Sequence, residues 1–127
     1  DARKCGVNDV NAIENSFLLP VRAYTRLLIK EPRDNAGFDR AYVFLNLEFM
    51  ASEHNCVGRI GAELIAYVEA TLPFRSDKSR YRVELYENSM LFTGGKTKFL
   101  SQVLGVVETL GKQFSTEWQK SNPNSQR

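Results

Sequence analysis

From Phe99 to Trp118 an apolar side chain returns every three or four residues, through Val103, Val106, Leu110 and Phe114. A helical period sustained over that length points to one structure, an amphipathic helix with a stripe buried against a core. Leu100, Leu104 and Val107 widen the stripe, and Thr97 is placed to cap it, so a helix is expected over 96–121. Gly105 and Gly111 each cost about 1 kcal/mol relative to alanine, so packing must hold this helix together.

The rest of the chain is read against that element. Val10, Ile13, Phe17, Val21, Tyr24 and Leu28 follow helical spacing over 8–30, with Asn8 or Asp9 as cap. Pro20 lies inside the pattern and predicts a kink or two abutting helices. Residues 36–52 are apolar nearly all round, through Phe38, Tyr42, Leu45 and Phe49. Length without a breaker favours a central helix there; the competing reading is a strand, from the alternation of Val43, Leu45, Leu47 and Phe49. Over 55–72, Val57, Ile60, Leu64, Val68 and Leu72 line one helical face, and Gly58, Ala62, Ala66 and Ala70 form a stripe of small residues. Residues 79–93 fit a helix ended by Gly94-Gly95, through Val83, Tyr86 and Met90, or a hairpin turning at Asn88-Ser89. The fold class expected is all-α, a single compact bundle of four to five helices over 1–121 with a flexible polar tail at 122–127. The alternative is α+β with a hairpin at about 80–93.

The chain has 127 residues, 43% hydrophobic and 25% charged, which are ordinary globular values. Area scaling leaves about two-thirds of the unfolded surface buried, enough for a real core. A net charge of +2 is too small to imply nucleic acid or an anionic membrane as partner. No run of 18 apolar residues is present, so no transmembrane segment is expected. The first residue is Asp1 rather than methionine, as in a processed precursor or a trimmed chain. Cys5 and Cys56 are the two cysteines. An even count and a charged setting for Cys5 predict one disulfide, worth up to about 4 kcal/mol by loop entropy. That implies a periplasmic or secreted protein, with the cytoplasm left open.

Motifs for chemistry are sparse. No dinucleotide fingerprint, P-loop, zinc spacing or nucleophile elbow occurs, and no cofactor or metal is expected. Thr93-Gly94-Gly95-Lys96-Thr97 matches the end of a P-loop superficially but lacks its first glycine. His54 beside Cys56 would suit a thiolate at a helix start, unless a disulfide consumes the thiol. Glu48, Glu63 and Glu69 lie on apolar segments, where two facing carboxylates could cleave a glycosidic bond. Arg22, Arg26 and Lys30 form a basic stripe continued by Arg33, and Arg75, Lys78, Arg80 and Arg82 form a second cluster.

These features predict a protein that binds another protein, in an inhibitor, immunity-type or adaptor role, without catalysis of its own. The two basic clusters are the candidate docking residues for an acidic partner. Alternatives are a helical-bundle carrier of an apolar ligand, lined by Phe38, Phe44, Phe49, Phe92, Phe99 and Phe114, and an enzyme of unrecognised type.

Overall fold

A computed structural model describes residues 1–25, 27 and 41–123. Its elements are α1 (Val10–Tyr24), β1 (Ala41–Ala51), β2 (Asn55–Ala70), β3 (Ser79–Gly95) and α2 (Phe99–Ser121), with short 3-10 turns at Arg3–Cys5 and Lys96–Lys98. The strands form one antiparallel sheet in the order β1-β2-β3. The fold is therefore α+β, and the all-α bundle is overturned.

The two helices match their expected positions. Asp9 caps α1 by accepting a hydrogen bond from the Ala12 amide at 3.0 Å. Pro20 sits inside one continuous helical segment instead of dividing two. α2 lies against β2 and β3, and α1 lies against α2. The helices approach closely at Gly111, where a Cβ would collide with the Phe17 carbonyl oxygen and the Pro20 ring. Ile13, Phe17 and Val21 of α1 join Val103, Val107, Leu110 and Phe114 of α2 in one core with Cys56, Ile60, Ala62 and Leu64 of β2.

Three segments read as helices are strands. Over 41–51 the competing reading was the correct one: Leu45, Leu47 and Phe49 face the helices and Phe44, Asn46 and Glu48 face away. The stripe Gly58, Ala62, Ala66 and Ala70 survives, but on a strand. A spacing of four returns to the same side of a helix and, being even, of a strand too. In register, Phe49, Gly58 and Phe92 form a row across the sheet. Phe99 caps that row, 5.7 Å from the Phe49 ring and 5.3 Å from the Phe92 ring, and a Cβ at position 58 would collide with the Phe92 ring and press on Phe99.

Residues 80–93 form neither a helix nor a hairpin; they belong to the single strand β3. Leu64 pairs with Tyr86 and Ile65 with Glu84, so Leu85 is an extra residue, a bulge. A bulge shifts strand alternation by one. Val83, Tyr86 and Met90 consequently share the core side despite helical spacing. Gly94-Gly95 ends this strand, and the 3-10 turn containing Thr97 precedes α2 without a side-chain cap.

The predicted disulfide is present, Cys5 to Cys56, with both cysteines fully buried. It ties the N-terminal turn to the start of β2, beside Ala51 at the end of β1. Of the tail at 122–127, Asn122 closes the last turn of α2 by donating from its side-chain and backbone amides to the Trp118 carbonyl, and residues 124–127 lie outside the described residues.

Candidate functional site

The helices cover one side of the sheet, and the other side carries the candidate site. Its residues are fixed by register, because directly paired residues of an antiparallel sheet point the same way. Row by row, Met50, Val57 and Thr93 lie at one end, then Glu48, Arg59 and Leu91, then Asn46, Gly61 and Ser89, then Phe44, Glu63 and Glu87. Beyond the bulge come Tyr42, Ile65 and Glu84, then Tyr67 and Arg82, then Glu69 and Arg80.

Gly61 gives the middle row a low floor. The result is a shallow groove of about 390 Å³ between Asn46, Glu48, Arg59, Glu63, Glu87 and Ser89. Glu48 pairs with Arg59 at 3.9 Å and Glu63 with Arg82 at 3.5 Å. Apolar side chains flank the polar centre: Met50 is 72% and Leu91 75% exposed, with Val57 and Phe44 also exposed. At the other end Tyr42 makes ring contacts with Phe44 and Tyr67, and Ile65, paired with Tyr42 in register, is buried.

Acidic groups crowd the bulge. Glu63 and Glu87 are directly opposed across strands, and Glu84 is adjacent. Shielding from water pushes the Glu84 carboxyl above its ordinary value, helped by repulsion from Glu87 and Glu63 and by a hydrogen bond to Glu87, while Arg82 opposes the shift. Salt-bridged carboxylates around an open groove are suited to hydrogen bonding and charge recognition.

The structure separates the residues singled out from the sequence. Arg22 is exposed in the last turn of α1, whereas Arg26, Lys30 and Arg33 lie outside the described residues. Arg75 and Lys78 stand in the turn between β2 and β3, where Arg75 pairs with Asp77 at 3.7 Å. Arg80 and Arg82 continue from that turn onto the open face, opposite Glu69 and Tyr67. The second basic cluster is thus drawn to one end of the sheet and interleaved with acids.

The proposed Cys–His pair does not form. Cys56 is in the disulfide, and His54 is an exposed turn residue with Nε2 3.7 Å from Glu53 Oε1. Glu48 and Glu63 share the open face, each with its own arginine. The aromatic set assigned to a carrier divides: Phe49, Phe92, Phe99 and Phe114 pack on the helix side, Phe44 lies on the opposite side, and Phe38 lies outside the described residues. Asn46, Gly61 and Ser89, the groove floor, carried no signal of a shared site: the alternation over 41–51 set Asn46 on the side opposite Leu45 and Leu47, and Ser89, expected at a turn, lies within β3.

No protein-family model, curated protein or solved structure matches this chain. No helix among the described residues is long and apolar enough to cross a membrane, and none of their His, Cys, Asp and Glu side chains group as metal ligands.

Proposed function

We propose that the chain is a protein-binding module of an oxidising compartment, periplasmic or secreted, that presents the helix-free face of its sheet to another protein in an inhibitory, immunity-type or adaptor role. The observation that carries this reading is the exposure of Met50, Val57, Leu91 and Phe44 on one face that neither helix covers. Large exposed apolar side chains on either side of a polar groove favour a protein partner. Arg80 and Arg82, the two members of the second basic cluster that reach this face, would contact acidic groups of the partner locally, among the acids Glu63, Glu69 and Glu84. The Cys5–Cys56 bridge supports the compartment and makes the surface rigid in advance of binding.

Site-specific photo-crosslinking in the native cells tests this. A photoreactive residue at position 91 should give a discrete adduct, and the same residue at Val10, exposed on α1, should not. Equal labelling from both positions, or none from position 91, contradicts the assignment.

A further inference from the structure

A second surface is the edge of β1 that no other described strand occupies. Eleven residues, Ala41–Ala51, run along it, and no described residue pairs with its outer side. Glu48 is its single charged residue. Natural sheets normally blunt such an edge with charges, proline or a bulge, because its unpaired amides and carbonyls accept another strand. Here apolar side chains lie on both sides of the strand, and Val43 on the helix side is 41% exposed.

We propose that the occupant of this edge is β1 of a second copy, paired antiparallel about a twofold axis at Asn46, giving a continuous six-stranded sheet. The pattern of the strand carries the argument, since Asn46 is its central residue. Pairing about Asn46 uses the whole strand and keeps each residue on its own face. On the helix side it opposes Leu45 to Leu47, Val43 to Phe49 and Ala41 to Ala51, all apolar. On the open side Tyr42 meets Met50, and Glu48 meets Phe44, so no like charges are opposed. At the axis two Asn46 amides face each other, each both donor and acceptor, and so self-complementary. This inference is independent of which protein occupies the open face.

Cysteine cross-linking of the full chain tests it. Only the axial residue meets its own copy, at about 4.5–5.5 Å between Cα atoms, within disulfide reach. N46C should therefore oxidise to a covalent dimer. E48C should not, because its copies lie about four residues apart along the strand, roughly 13 Å. Light scattering of the unmodified chain should show a dimer below about 1 mM. As a second measurement, N46D and N46K should each weaken the dimer by about fivefold, and their equimolar mixture should restore it. A monomer at all concentrations, equal cross-linking of N46C and E48C, or no recovery in the mixture would overturn the proposal.

Discussion

The two edges of the sheet belong to one hydrogen-bonded unit yet are built in opposite ways. β3 carries Arg80, Arg82, Glu84 and Glu87, is bent by the bulge at Leu85, and runs directly into α2. Asn88 on β3 also donates a hydrogen bond to Gln113 of α2. β1 has one charge and no bulge in its pairing, and its neighbours are β2 and the N-terminal turn, with Phe49 reaching Phe99. Charge and bulging close an edge to further strands. The contrast teaches that, among the described residues, β3 is built as a closed edge and β1 as one that another strand could extend.

The strongest perturbation should act on both edges together. Phe99 is fully buried between Phe49 of β1 and Phe92 of β3. F99A should cost about 3–5 kcal/mol in urea unfolding, with protection lost equally in the two strands. Loss confined to one strand would break the claim that Phe99 couples them.

Removing the disulfide should instead distinguish the edges. A bridge spanning 51 residues contributes up to about 4 kcal/mol by loop entropy. C5A/C56A should lower stability by roughly that amount or less, and hydrogen exchange should accelerate in β1 more than in β3. The reason is local: the bridge holds the turn that contacts β1, while β3 is secured by α2. Faster exchange in β3 would contradict that division.

The smallest effect concerns the charges on β3. A carboxyl whose value is raised by folding contributes stability that is complete below its unfolded value and lost as pH rises through its folded value. Glu84 is such a group. E84Q should therefore be more stable than the parent chain at pH 7, with the difference vanishing as pH falls through the ordinary glutamate range. A thermal melt at the two pH values measures it; an advantage that grows on acidification would reverse the assigned sign.

The helices were legible because their periodicity is local. The Phe99 to Trp118 stripe and the Asp9 cap each depend on residues a few positions apart, and the disulfide followed from a count of two and the charged setting of Cys5. The sheet was obscured for identifiable reasons. Spacing of four at Gly58, Ala62, Ala66 and Ala70 serves either element, and the extra residue Leu85 turned strand alternation into the helical intervals Val83, Tyr86 and Met90. β1 looked like a central helix because it is apolar on both sides, the property that now distinguishes its edge. The groove was illegible for a different reason: Asn46, Gly61 and Ser89 become neighbours only through the pairing register of three strands. Of the basic clusters, Arg80 and Arg82 reach that face because strand parity places them there.

The difference between the edges is tested most directly by backbone amide exchange, followed residue by residue at low and high protein concentration. Every second amide of an edge strand points away from its sheet. Those of β1 should exchange readily in dilute protein and become protected as concentration rises, symmetrically about Asn46, while those on the free side of β3 stay unchanged. Protection that is independent of concentration at β1, or that grows at β3, would contradict the account.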